Sequence, residues 1–375
     1  MHSKFSLLYF HFPFCETRCH YCDFYALAEH RVSELEKNGF YQSLQLEIDK
    51  AIEDDLVEPI EAIFMGGGTP SLTPPKVMTN LMTSLLGKVS FVENYEWTME
   101  ANPSSIRETH LTAYQDLGVN RLSVGIQSLN ENHLKKLGRA HTPLEAREAL
   151  DSVFRSGFKN VSVDLMCGLP GQTLSQLEND IECLTEYPII HLSCYLLTLP
   201  PHHPLYSELP SEEAQVDHLL LIDQKLKSLG FEHYEISNFC KAGKRASHNL
   251  AVWNGSSYLG FGPSAHSFCR NQKKRWRNFP SLRKYQEALT QNQWPRFEEE
   301  TLTQSQLELE KWMLKLRLSD GVPLTWIQSQ KQLEKMNAFR KEKLIEDHPE
   351  KPQRFRLTSL GYTMSDQIIL EIADF

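Results

Sequence analysis

Several things are scarce in this sequence, and each scarcity excludes a class of protein. No apolar run approaches the ~20 residues that a membrane helix needs, so an integral membrane segment is not expected. Cysteine is too sparse for a disulfide scaffold: eight residues in 375, where such a scaffold is shorter and denser. Positive charge is in deficit, with 39 Lys and Arg against 48 Asp and Glu, a formal net charge of −9 that argues against a nucleic-acid partner. No solenoid-type repeat is present, and the phosphate-loop pattern G-x-x-x-x-G-K-[ST] is absent. The apolar run that ends at Pro13 and Cys15 lacks a small-residue cleavage site and reads as a first strand, not a signal peptide.

What is present is an ordinary globular composition. Hydrophobic residues make up 41% and charged residues 23%, which excludes general disorder. The length allows one large α/β domain and a smaller one.

The first two-thirds alternates strand and helix patterns. Strands are expected at Leu7–Phe12, Ala62–Met65, Glu96–Glu100, Arg121–Ile126, Asn160–Leu165 and Ile189–Leu197. Helices are expected between them, with Ser104 or Ser105 capping one that Gly118 ends. About six β-then-α units imply a parallel sheet with crossover helices, a partial (β/α)6 barrel. Functional residues then gather at the C-terminal strand ends. Residues 241–300 are rich in Gly, Ser, Asn and aromatics and read as a loop-rich region over the barrel mouth. Residues 301–375 read as a small, mostly helical, winged-helix-like unit that covers that mouth. Lys273, Lys274, Arg275 and Arg277 surround Trp276 and read as a solvated loop, although Trp276 would suit stacking on a base or a porphyrin.

Three cysteines crowd together in Cys15-Glu-Thr-Arg-Cys19-His-Tyr-Cys22, a C-x3-C-x2-C spacing. Three thiolates on one short loop can reach three irons of a [4Fe–4S] cluster and leave the fourth iron open. A zinc site completed by His20 or His11 competes, and purely structural thiols compete less well. The other five cysteines read as small buried hydrophobes.

C-x3-C-x2-C followed by the aromatic Phe24 resembles the signature of the radical S-adenosylmethionine (SAM) superfamily. That resemblance implies a full or partial (β/α) barrel, a [4Fe–4S] cluster on Cys15, Cys19 and Cys22, and SAM on the open iron. An electron from the cluster then cleaves the sulfonium to give a 5′-deoxyadenosyl radical.

Met65-Gly66-Gly67-Gly68-Thr69-Pro70 is a strand followed by a glycine turn, and alone it is just a turn. Beside the cysteine loop it resembles the glycine motif of the coproporphyrinogen III oxidase-like branch of the superfamily. In that branch the residues matching Tyr9, Gly67, Gly68, Thr69, Glu100, Gln127, Arg139 and Asp164 contact SAM, with Tyr21 a further match. Each has a bland alternative, such as a helix cap or a surface arginine. Gly168-Leu169-Pro170-Gly171-Gln172-Thr173 also follows the branch pattern and reads as a turn before a helix capped by Thr173.

Two activities exist within the branch. One is oxidative decarboxylation of porphyrinogen propionates in heme biosynthesis, by an oxygen-independent oxidase. The other is heme binding and delivery to apo-proteins, by heme chaperones. The resemblance is greater to the chaperones. The oxidases carry a fourth cysteine where this sequence has Phe24, and a longer segment before the cluster. The chaperones carry an H-N-x-x-Y-W motif, read here as His248-Asn249-Leu250-Ala251-Val252-Trp253, with Val252 in place of tyrosine. Imidazole is a common axial heme ligand, so His248 is the candidate contact and His266 a second; a loop histidine held by a backbone bond is the alternative. The implied partners are heme or a porphyrinogen and heme-accepting apo-proteins. The implied compartment is the cytoplasm, with a peripheral membrane association allowed.

Overall fold

The computed structural model describes residues 4–373. Strand β1 (Phe5–Phe12) opens the fold. A short parallel pair, β2 (Phe14–Cys15) and β3 (Leu27–Ala28), brackets the cysteine loop. Then follow β4 (Val57–Gly67), β5 (Phe91–Ala101), β6 (Arg121–Gln127), β7 (Asn160–Cys167) and β8 (His191–Leu196). The crossover helices are α1 (Glu34–Glu53), α2 (Pro75–Lys88), α3 (Glu108–Leu117), α4 (Glu131–Leu137), α5 (Pro143–Arg155), α6 (Leu174–Thr185) and α7 (Glu212–Ser228). The strands β1-β4-β5-β6-β7-β8 lie side by side, all parallel, as the β-then-α pattern requires. This is the six-stranded partial barrel expected from the sequence.

The two faces of this sheet differ sharply. Phe10, Ile63, Met65, Trp97, Met99, Leu122, Val124, Val163 and Leu192 point to the helices and form one buried core. The alternate positions carry Tyr9, His11, Glu96, Thr98, Glu100, Arg121, Ser123, Asp164, His191 and Ser193, on the concave face. A sheet face this polar and this buried is expensive unless it serves a site.

Helix starts follow local chemistry. Ser33, Thr142 and Thr173 close capping boxes with Glu36, Glu145 and Gln176. Ser104 and Ser105 do not cap α3, whose N-cap is Arg107. Ser105 instead bonds Ser71 at 2.6 Å between their hydroxyls, and this tertiary bond outcompetes the local cap.

Residues 241–300 hold more regular structure than their composition suggests. After the antiparallel edge strands β9 (Glu232–Glu235) and β10 (Asn238–Cys240) come α8 (Ser247–Trp253) and β11 (Leu259–Phe261). β11 pairs with β1 in parallel, so this region supplies an edge strand of the main sheet. β12 (His266–Cys269), β13 (Lys274–Asn278), α9 (Leu282–Thr290) and β14 (Arg296–Thr301) follow. Lys274, Arg275, Trp276 and Arg277 of the basic cluster therefore lie on β13, and only Lys273 is in the turn before it. Lys274, Arg275 and Arg277 pair with Glu299, Glu300 and Glu298 of β14. Trp276 is buried, edge-on to Phe5 and under the Arg296 guanidinium, and is not free to stack on a ligand.

The rest of the chain has its own core. Helices α10 (Gln304–Leu316), α11 (Gln330–Lys341), α12 (Ser359–Thr363) and α13 (Ser365–Ala373) pack with the small sheet of β15 (Val322–Pro323), β16 (Ile345–Asp347) and β17 (Arg354–Leu357). Trp312, Leu316, Phe339, Phe355, Ile368 and Ile372 are at its centre. This unit docks on the β9 side: Leu318 bridges Glu235, and Ser359 bonds Asp223 of α7. None of its described residues lines the cavity described below.

Candidate functional site

The site is built where the loops at the C-terminal ends of the strands meet. The chain leaves β1 into the cysteine loop, and the glycine turn after β4 docks directly on that loop's start. Gly68 N–H donates to Phe12 O at 2.7 Å and Thr69 N–H to Phe14 O at 2.8 Å. A Cβ on Gly68 would lie 2.6 Å from the Phe12 carbonyl oxygen, so only glycine permits the approach. Gly67 has φ +100, the left-handed side of the map.

Around this junction lies a cavity of about 520 Å³. Its walls bring together Cys15, Cys19, Cys22, Tyr21, Gly67, Gly68, Thr69, Glu100, Gln127, Arg139 and Asp164. Cys15 is buried, and Cys19 and Cys22 are partly exposed to the cavity. Two of the thiols have donors: Thr69 Oγ1 lies 3.5 Å from Cys15 Sγ and Arg139 Nη1 lies 3.6 Å from Cys19 Sγ. Burial pushes the Cys15 thiol up to about 11, against the pull of Thr69. Among the described residues no three His, Cys, Asp or Glu side chains converge as ligands of one metal ion do. A [4Fe–4S] cluster takes each cysteine on a different iron, so its thiols need not converge on one point.

Two carboxylates, Glu100 and Asp164, also line the cavity. Burial, then the charge of Asp164, pushes Glu100 up to about 8, against a hydrogen bond from Gly67 N–H. Asp164 is raised by burial too, and Ser193 and Ser123 hydrogen bonds oppose the shift. A cationic ligand beside the pair would favour the ionised form of both carboxyls. Arg139 is pinned by Asn102 Oδ1 at 2.9 Å and by Gly125 O, and its Nε is buried with no partner. Gln127 has φ 68, a strained value for a non-glycine residue, at a strand end on the cavity wall.

The structure places two expected residues elsewhere. Tyr9 lies on the concave face, but its hydroxyl bonds His11 Nδ1 at 3.0 Å and it does not line the cavity. His248 sits on α8, 7% exposed, with its ring 5.3 Å from that of Phe64. Its Nε2 is buried without a partner, and burial holds the imidazole at about 4. His266 is exposed at the start of β12.

The sequence reading missed several wall residues. Asn102 links two of the site's groups, bonding both Thr69 Oγ1 and Arg139. Its position just past Glu100 at a strand end was the available signal. Tyr195, Leu196, Leu197 and Thr198 line the cavity from the end of β8. Tyr195 is 42% exposed although its strand lies inside the sheet, because it faces the cavity.

The model of the radical SAM superfamily matches residues 9–184, the stretch that carries the cysteine loop, the glycine turn and the strand-end residues. Curated relatives over a longer span are named heme chaperone HemW. The Bacillus subtilis protein is 34% identical over 84% of this chain and 84% of its own, and the Lactococcus lactis protein 32% over 84% and 82%. The chain belongs to the HemW family. The Escherichia coli HemW is 36% identical over 69% of each chain. Among solved structures, the radical SAM coproporphyrinogen III oxidase HemN of Escherichia coli superposes on 99% of this chain and 91% of its own with a TM-score of 0.82. Their sequence identity is 20%, so that likeness is one of fold.

Proposed function

We propose that this chain is a radical SAM heme chaperone, which binds heme and passes it to apo-proteins. One observation carries the reading: in a chain 34% identical to a heme chaperone, the three clustered cysteines and the glycine turn share one cavity. The residues fit the cofactors. Three thiols border the cavity, two of them with hydrogen-bond donors that suit a thiolate. Two half-buried carboxylates on the cavity wall and the orphaned Arg139 Nε suit a zwitterionic, positively charged ligand such as SAM.

When bound, the cluster supplies an electron to SAM. The chain's residues do the rest. Cys15, Cys19 and Cys22 hold the irons, while Thr69 and Arg139 donate to the sulfurs. Gly67 and Gly68 bring backbone close to the ligand, with Thr69 beside them. Glu100, Gln127, Arg139 and Asp164 orient it, and Tyr21 closes the loop side. Tyr9 acts from behind, by fixing His11 against the glycine turn. His248 is the proposed heme contact. Its Nε2, buried without a partner beside the Phe64 ring, would be the atom offered to heme iron.

The same reading divides the chain into a partial barrel at 1–240, a connecting region at 241–300 and a C-terminal HemN-like unit at 301–375. The separate cores support the boundary near residue 300, whereas Leu259, Phe261, Trp276 and Tyr285 of the connecting region share the barrel's core. A reducing cytoplasm suits thiols that must stay free for iron. No described helix is long and apolar enough to cross a membrane.

Iron analysis tests the cofactor half. Changing all three cysteines to serine is expected to abolish bound iron after anaerobic reconstitution, and retention of four irons per chain contradicts the assignment. Heme titration tests the other half. His248→Ala is expected to alter the heme spectrum and weaken binding, and an unchanged spectrum and affinity remove His248 as a ligand.

A further inference from the structure

In the middle of the cysteine loop His20, between Cys19 and Cys22, is gripped from outside. Its backbone N–H donates to Leu137 O at 3.0 Å, and its Nδ1 to Lys136 O at 3.0 Å. Both carbonyls belong to the last turn of α4, where they have no partner within the helix. Gly138 caps that helix in the left-handed region, and a Cβ there would stand 3.0 Å from the His20 ring.

The third polar group of His20, its carbonyl, is taken from the other side. His203 Nε2 lies 3.0 Å from His20 O. Leu205 N–H donates to His203 Nδ1 at 3.1 Å, so Nδ1 is the acceptor and Nε2 carries the hydrogen. The imidazole thus has one defined tautomer with both nitrogens engaged. Its own segment is anchored: Leu197 and Leu199 are buried with Leu137, Met166 and Leu169, and Tyr21 packs against the same cluster.

We propose that His203 is a positioning residue for the iron–sulfur site. It clamps the middle of the cysteine loop through His20 O, so that Cys19 and Cys22 are presented in a preformed arrangement. The inference rests on the reading of the three cysteines as cluster ligands. His203 is not among the residues that line the main cavity; it borders a smaller one of about 370 Å³ beside Cys19, His20 and Cys22, and its hydrogen bond reaches the loop through the His20 backbone.

Three variants separate this clamp from a local turn. His203→Gln can place an amide nitrogen near the Nε2 position and keep the donation to His20 O. His203→Asn can keep an acceptor for Leu205 N–H but does not reach His20. His203→Ala loses both. On reconstituted protein, iron release to an excess of chelator is expected to be near wild type for Gln. It is expected to be about tenfold faster for Asn and Ala, the loss of about one hydrogen bond. Hydrogen exchange on the iron-free protein gives a second readout: the His20 amide is expected to exchange about tenfold faster in Asn and Ala. Wild-type behaviour of Asn or Ala in both readouts overturns the proposal, as does a Gln variant as labile as Ala. If wild-type protein binds no iron, the cluster reading has failed, while the exchange pattern still reports on the clamp.

Discussion

The guanidinium of Arg139 reaches the thiol of Cys19 at 3.6 Å, joining groups 120 positions apart in the chain. The contact ties the turn after α4 to the cysteine loop and places a positive charge beside a proposed cluster ligand. Charge and hydrogen bonds at cluster sulfurs set reduction potential, because they stabilise the more negative reduced state. Arg139→Gln is therefore expected to make the cluster harder to reduce. Potentiometric titration followed by electron paramagnetic resonance measures this as a more negative midpoint, and an unchanged midpoint contradicts it.

The glycine turn gives a stability test. Gly67→Ala would force a side chain into a backbone at φ +100, with its Cβ 2.5 Å from the His11 ring. A loss of about 2–4 kcal/mol is expected in chemical denaturation. Gly87, in the last turn of α2, has nothing within 4 Å of a built Cβ. Gly87→Ala is expected to be neutral or to stabilise by about 0.5 kcal/mol, from helix propensity. Equal losses at both positions would refute the account of the turn.

Glu47 of α1 is buried and accepts three hydrogen bonds: from Gly262 N–H at 2.8 Å, Asn278 Nδ2 at 2.7 Å and the Tyr285 hydroxyl at 2.7 Å. These bonds fasten the 262–285 segment to the barrel. Glu47→Gln sets an amide donor against donors and is expected to cost about 2–3 kcal/mol. Equal denaturation midpoints for the two proteins would show that the carboxylate does not hold this segment.

Asp223 gives a pH dependence. Burial pushes its carboxyl up, but hydrogen bonds from His233, Lys227 and Ser359 outweigh burial and hold it at about 2. A carboxyl depressed in the folded state stabilises at pH above about 4, where the unfolded chain is also ionised, and loses that contribution as pH falls through about 2. The size is about 2 kcal/mol. Asp223→Asn is expected to be less stable than wild type at pH 6 by about that amount, with the gap closing below pH 3. A gap independent of pH rules out the charge as its source.

Much of the site was legible because its chemistry is local. The cysteine spacing, the three glycines after an apolar strand, and Glu100, Gln127 and Asp164 at strand ends all announce themselves within a few residues. The alternation of strands and helices likewise reveals the partial barrel. Other features depend on partners far along the chain. The positive cluster at Lys274–Arg277 reads as a solvated loop until β14 brings Glu298, Glu299 and Glu300 alongside. β11 and β12 are three and four residues long, too short to show a period, so a region that completes the sheet reads as loop. Asn102 and His203 are ordinary polar residues in sequence, and only the fold shows which groups they join. The burial of His248 has a similar cause: its Nε2 is enclosed by α8 and β4, which are brought together only by tertiary packing.

The central claim is tested most directly on anaerobically reconstituted protein with iron, SAM and a reductant. Heme and coproporphyrinogen III are supplied in separate assays, with heme binding and transfer to an apo-hemoprotein followed spectroscopically and porphyrinogen decarboxylation followed in parallel. The account predicts heme binding and transfer without decarboxylation. Decarboxylation without heme binding would contradict it and make the protein an oxidase that dispenses with a cysteine at Phe24.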